Sequence, residues 1–399
     1  MKIAQCMDSR PFARFAFTIR QYGRRKVWLA VVAAAMACML FSSCDLLARI
    51  NLQHWDWWSD PWGDRLANLG RGPVTLQYSP MDLDKVQQIL PIGKIGLPQH
   101  PIPTDHIYFI SQDQSAIPGR LPGPNIFRAP ADGVIVRIQK FRWTNQVQEE
   151  YDDYHLYILH SNDFMTFIGH VFDPDPDLLH KAGDLKDGEN YVFIRVKAGE
   201  VLGRGTTPDF GVFDRTKPNA FIKPSRYEPI MLYAQPPFGY LKEDISSRML
   251  SLIWRTGEPK SGSFVYDQAG KLIGNWFAVP DARLNEMSWD DMLAFAPHYL
   301  DPRRIEVGFS GRLWSDTSSL GPEYLVAEDA GDPDPVDVTP AIGPVRYHLE
   351  ALGGDGTPGK QAQLTLLVQM LDDTTLKAEL FPGWQDDVSF GEGVVLYYR

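Results

Sequence analysis

Cysteine is almost missing from this chain: Cys6, Cys38 and Cys44 are the full set, so disulfides are excluded from everything past residue 44. No apolar run is comfortably long enough for a membrane span; the best, Val27 to Phe41, falls short of the ~20 residues a helix needs. Basic charge is scarce after residue 43. Seven of the 39 Lys and Arg but only one of the 50 Asp and Glu lie before Cys44, leaving 32 basic against 49 acidic residues, an excess of 17 acids. A surface that acidic repels phosphate backbones and argues against nucleic acid as a partner. Internal repeats are absent, and Gly308-Phe309-Ser310-Gly311 lacks the spacing of a hydrolase nucleophile elbow. What is plentiful is turn chemistry. With 31 prolines and 33 glycines spread through 399 residues, the sequence predicts many short elements and excludes a coiled coil.

The amino terminus reads as an export signal. Lys2, Arg10, Arg14, Arg20, Arg24, Arg25 and Lys26 precede the run Val27 to Phe41, which suits a signal h-region. The run closes on Leu40-Phe41-Ser42-Ser43-Cys44, which resembles a bacterial lipobox, with Phe41 where leucine is usual. The resemblance implies cleavage after residue 43, lipidation of Cys44 and anchoring to a membrane of the bacterial cell envelope. Trp55, Trp57, Trp58 and Trp62 follow closely; they suit either a headgroup contact or a strand packed on the folded body.

Beyond the anchor the pattern is mainly β. The expected division is a signal over 1–43, a Trp-rich tether over 44–95, a first β domain over 96–225 and a second β-rich domain over 226–399, with the proline-rich passage Pro218 to Pro237 at the join. Val134 to Ile138, His155 to Leu159, Met165 to Ile168, Tyr191 to Val196, Leu364 to Met370 and Leu376 to Phe381 are short, β-branched or aromatic, and bounded by turn formers. Ser161-Asn162-Asp163 predicts a hairpin turn, and Ser288 predicts a cap for a short helix over Asp290 to Phe295.

From about residue 100 to 214 the order of motifs resembles the lysostaphin-like (LytM-type) zinc endopeptidases of bacterial cell walls. The pieces are Asp105-His106-Ile107-Tyr108-Phe109, Ala129-Pro130-Ala131-Asp132-Gly133-Val134-Ile135, Thr166-Phe167-Ile168-Gly169-His170-Val171 and Val196-Lys197-Ala198-Gly199-Glu200-Val201-Leu202-Gly203. The resemblance implies an antiparallel LytM-like sheet, with His106 at the first metal position and His170 as an assisting histidine. The remaining ligands are missing. Ile110 stands where the family has an aspartate four residues after the first histidine, and Asp209-Phe210-Gly211-Val212-Phe213-Asp214 has no H-x-H. A catalytic zinc takes about three protein ligands and an open position. The expectation is therefore a degenerate member with no cofactor, binding peptidoglycan or an envelope protein without hydrolysing it.

Two other readings stand beside it. A rearranged zinc site would draw on His106, His160, His170 and Asp105 or Asp209, and alternation puts His155 and His160 on opposite faces, so only one of them could join. Alternatively Trp276, with Trp289, Trp314 and Trp384, could stack on sugars, although aromatics in small β domains are more often core. Asp173, Asp175 and Asp177, and the acids of Glu328 to Pro340, offer oxygens suited to calcium but lack the EF-hand glycine and terminal glutamate; solvated loops are the plainer expectation.

Overall fold

The computed structural model describes residues 66 and 69–399, apart from 114, 329 and 353–362. Cys44 and the tryptophans at 55–62 lie outside the described residues. Among those described, no helix is long and apolar enough to cross a membrane.

The fold is mainly β, and the strands fall into three groups. The first is an antiparallel sheet built from β1 (Val86–Leu90), β2 (Ile107–Ser111), β4 (Gly133–Thr144), β5 (Glu150–Ser161), β6 (Phe164–Val171), β8 (Gly188–Val196) and β10 (Asp209–Asp214). Their order is β1-β2-β10-β6-β5-β4-β8, and β11 (Ala234–Gln235) also pairs with β10. A three-stranded sheet joins β3 (Asn125–Arg128), β9 (Val201–Gly205) and β7 (Asp173–Pro174) in the order β3-β9-β7. Among the described residues there are two α-helices, α1 (Pro176–Ala182) and α2 (Glu243–Ser251).

The third group is a closed barrel whose strands follow one another in chain order: β12 (Gly274–Phe277), β13 (Met292–Pro297), β14 (Ile305–Phe309), β15 (Glu323–Val326), β16 (Val345–Leu352), β17 (Gln363–Met370), β18 (Thr375–Pro382) and β19 (Val395–Tyr398). An eight-stranded barrel is just narrow enough for side chains to fill. Trp276, Phe295, Tyr324, Tyr347 and Tyr397 are all essentially inaccessible here. The ladders are uneven: β17 and β18 pair over seven positions, whereas β14 meets β15 only at Glu306 and Leu325, and β12 meets β19 only at Phe277 and Tyr398.

Two of the motifs singled out in the sequence are clasped together. The Asp132 carboxylate accepts from the Ala198 amide at 2.9 Å and pairs with Lys197 at 2.9 Å, holding the Lys197-Ala198-Gly199-Glu200 turn against Gly133. Gly199 sits at φ +80°, and an added Cβ would lie 2.9 Å from the Tyr78 ring, so both the turn and the close approach require glycine.

Strand positions follow the apolar alternation closely, and the hairpin closes with Ser161 opposite Phe164. Three expectations are corrected. The end of the supposed tether is part of the sheet: β1 pairs with β2, and Ile89, Ile92 and Ile95 are buried. The proline-rich passage does not separate two bodies at 225, because β11 pairs with β10 and Leu76 bridges to Leu241; the barrel strands begin only at Gly274. Ser288 does cap a turn, but a single 3-10 turn over Trp289–Asp291, after which Met292–Pro297 is drawn into the barrel as β13. Residues able to pair on both sides gain more as strand than as an isolated helical turn.

Candidate functional site

The central strands of the first sheet, β2, β10, β6 and β5, each contribute to one polar cluster. His106 immediately precedes β2, and Asp209 opens β10 directly opposite Tyr108. His170 lies near the end of β6 at φ +61°, an uncommon backbone conformation for a residue with a side chain. His155 lies within a register shift between Tyr154 and Leu156 of β5, and Asp153 just before it. A floor without side chains makes room for them: an added Cβ on Gly169 would meet the Phe167 ring at 2.9 Å, Asp209 Cβ at 3.3 Å and His155 Nε2 at 3.4 Å. The Phe167 ring lies across this floor, 5.8 Å from the His106 ring and 5.1 Å from that of His155.

Carboxylates and imidazoles alternate along the cluster. His106 Nδ1 donates to Asp105 Oδ1 at 2.9 Å, and its Nε2 stands 3.3 Å from Asp209 Oδ2. The same Asp209 oxygen is 3.2 Å from His170 Nε2, and His170 Nδ1 donates to Asp153 Oδ2 at 2.7 Å. His155 Nε2 is 3.9 Å from that Asp153 oxygen. The His106 to Asp209 contact is an ion pair rather than an aligned hydrogen bond, since Nε2 has the proximity but not the angle.

These neighbours divide the histidines into two kinds. Burial works against a charge on His106, yet Asp209 and the hydrogen bond to Asp105 outweigh it and raise the ring to about 9. His170 is likewise opposed by burial and raised well above its ordinary value by Asp209 and Asp153; 41% of its side chain is exposed, so solvent screens part of that attraction. Asp209 responds in kind: burial opposes its charge, and His170 and His106 hold it well below the usual carboxylate range. His155 is lowered to about 4 by burial against the pull of Asp153, and His100 to about 4 by burial and by His106. The neighbours therefore favour the imidazolium form of His106 and His170 and the ionised form of the Asp209 between them.

Asp153, His155 and His170 each place a donor atom within 4.8 Å of the other two. Asp153 Oδ1 and His155 Nε2 are buried without a hydrogen-bond partner. Both nitrogens of His170, however, face carboxylates, and a metal takes neutral imidazole with a lone pair aimed at it. Ile110 and the stretch Phe210 to Phe213, where the sequence resemblance asks for ligands, carry no metal-binding side chain. The donors that the structure does gather are Asp153, His155 and His170, with Asp209 between His170 and His106.

Of the residues expected from sequence, His106, His170, Asp105 and Asp209 come together. His160 does not: its Nδ1 is 2.8 Å from the Asp132 carbonyl oxygen and its Nε2 2.8 Å from Thr166 Oγ1, so both nitrogens are used inside the core. His155 takes the place considered for it, and Asp153 is a member the sequence reading missed. The signal was there, since Asp153 and His155 are two apart on a strand and so share a face.

Trp276 is fully buried, donates from Nε1 to the Leu272 carbonyl at 2.7 Å and lies 4.0 Å beneath the Arg399 guanidinium, so it presents no face to a sugar. Trp289 is different: 44% exposed, it stands edge-on 5.4 Å from His100, whose ring is 6.4 Å from that of His106. The acidic stretches serve the backbone, Asp175 capping α1, Asp173 accepting from the Gly123 amide and Asp332 from the His348 amide. No known protein family matches the chain, and no curated protein is detectably similar to it.

Proposed function

We propose that this protein is a lipid-anchored component of the bacterial cell envelope whose first sheet, a degenerate LytM-like module, binds peptidoglycan or an envelope protein without cutting it. The observation that supports this reading most is the alternation of carboxylate and imidazole from Asp105 to Asp153, in which the nitrogens of His106 and His170 that could ligate a metal are turned to carboxylates. Hydrolysis by the metal-dependent route of that family needs a metal-bound water with an open coordination position. Charged groups that satisfy one another, beside the exposed indole of Trp289, suit recognition instead: the indole can stack on a sugar or peptide face while the rim of the cluster fixes orientation. Lipidation at Cys44 would hold that surface close to a membrane.

The test is incubation of the full-length protein in mild detergent with purified peptidoglycan. Co-sedimentation that weakens on Trp289→Ala, without release of soluble fragments, is the expected outcome. Fragment release that stops on adding a chelator overturns the reading.

One observation favours a second reading, a zinc-dependent hydrolase whose site has shifted to Asp153, His155 and His170: the unpartnered Asp153 Oδ1 and His155 Nε2. About one tightly held zinc per chain, lost on His155→Ala, would establish it.

A further inference from the structure

A cavity of about 400 Å³, sharing no residue with the histidine cluster, opens between the segment Tyr78 to Lys85, strands β3 and β9, and helix α2. Its lining has a charge opposite to that of the chain. Lys85, Arg128, Arg204 and Arg248 all line it, with Asp82 the single carboxylate among the lining residues. In a sequence with 17 excess acids past residue 43, convergence of four cations on one recess is not an average property of the surface.

The cations are only partly neutralised. Arg248 pairs with Asp84. Arg128 donates to the Gly199 carbonyl at 3.0 Å and Arg204 Nε to the Gly123 carbonyl at 2.5 Å, which fixes both guanidinium groups but gives neither a carboxylate. A guanidinium carries five N–H donors, so most of those on Arg128 and Arg204 remain for another acceptor. Ser79 Oγ, also in the lining, is buried without a hydrogen-bond partner. Between these polar groups the walls are apolar, formed by side chains such as Met81, Ile126 and Ile245.

We propose that this recess binds a small amphiphile with an oxyanion head, a phosphate or a carboxylate, and an apolar body. Anchored guanidinium groups match the planar or tetrahedral oxygens of such a head in pairs, Ser79 supplies a neutral hydrogen bond, and the aliphatic walls cover the remainder. The recess is independent of the peptidoglycan reading, so either can fail without the other.

Isothermal titration of the full-length protein with octyl phosphate, octanoate and octyl glucoside, each below its micellar concentration, tests this. One phosphate or carboxylate ligand should bind saturably per chain, with affinity falling at least tenfold in Lys85→Gln and in Arg204→Gln and less in Arg204→Lys. Arg303→Gln, outside the recess and 82% exposed, should leave affinity unchanged. Preference for octyl phosphate identifies a phosphate head, and preference for octanoate a carboxylate. Absence of saturable binding, equal binding of octyl glucoside, or indifference to Lys85→Gln, whose exposed side chain leaves the fold intact, overturns the proposal.

Discussion

Asp209 in the first sheet and Glu306 in the barrel are both buried carboxylates on β-strands, and they are pushed in opposite directions. For each, burial disfavours the charge. Asp209 has an imidazole on either side and is held ionised. Both oxygens of Glu306 lack partners; burial raises it well above its ordinary value, and Glu323 adds to the rise, with Lys94 giving only partial relief. Neighbours, rather than depth, decide which carboxylate keeps its charge. Charge is therefore favoured at the polar cluster and disfavoured at Glu306, which shares a strand face with Gly308 and so looks out of the barrel toward the segment holding Lys94, Ile95 and Pro101.

The comparison breaks most sharply at Asp209→Asn. Removing one partner from a buried ion pair costs about 3–5 kcal/mol, because the remaining charge is left unpaired. Denaturant unfolding at pH 7 should show a loss on that order, and histidine NMR should show His106 titrating well below 9. A loss under about 1 kcal/mol would mean that the paired charges contribute little beyond a surface ion pair.

Next in size is the pH dependence of the wild type. His106 has a folded value of about 9 against an ordinary 6.5, so its contribution is fully present below 6.5 and is lost as pH rises through 9. Melting temperature should fall over that window, and less steeply in Asp209→Asn. An equal fall in both would assign the loss to other groups.

The smallest effect belongs to Glu306→Gln. An acid raised in the folded state stabilises most below its ordinary 4.5, and that stabilisation is lost as pH climbs above it, because the unfolded chain ionises first. A neutral amide of the same shape should change stability at pH 7 by within about 1 kcal/mol, or raise it, and should flatten the decline that begins above pH 4.5. A large loss at pH 7 would show Glu306 to be ionised and paired.

Much of the architecture was legible because strand alternation and turn residues act locally; the hairpin at Ser161 to Asp163 and the strands at 364–370 and 376–381 needed nothing more. The join was not. Val86-Gln87-Gln88-Ile89-Leu90 breaks the apolar alternation and does not announce a strand until it pairs with β2, and barrel closure depends on Phe277 meeting Tyr398, a pairing no local pattern encodes. At the site, motif order led to His106 and His170, and alternation separated His155 from His160. Which of the two faced the cluster was decided by Thr166 and the Asp132 carbonyl, which hold His160 in the interior.

The barrel's two single-pair junctions, at Glu306 with Leu325 and at Phe277 with Tyr398, divide it lengthwise into two curved halves. One runs from Gly274 to Phe309 and the other from Glu323 to Tyr398. Strand pairing is thinnest along these two lines, and side chains make up for it: Arg399 bonds the carbonyls of Asn275, Leu272 and Ile273, and Arg304 pairs with Glu350. Closure of the cylinder therefore depends on two guanidinium groups as well as on its main-chain ladders.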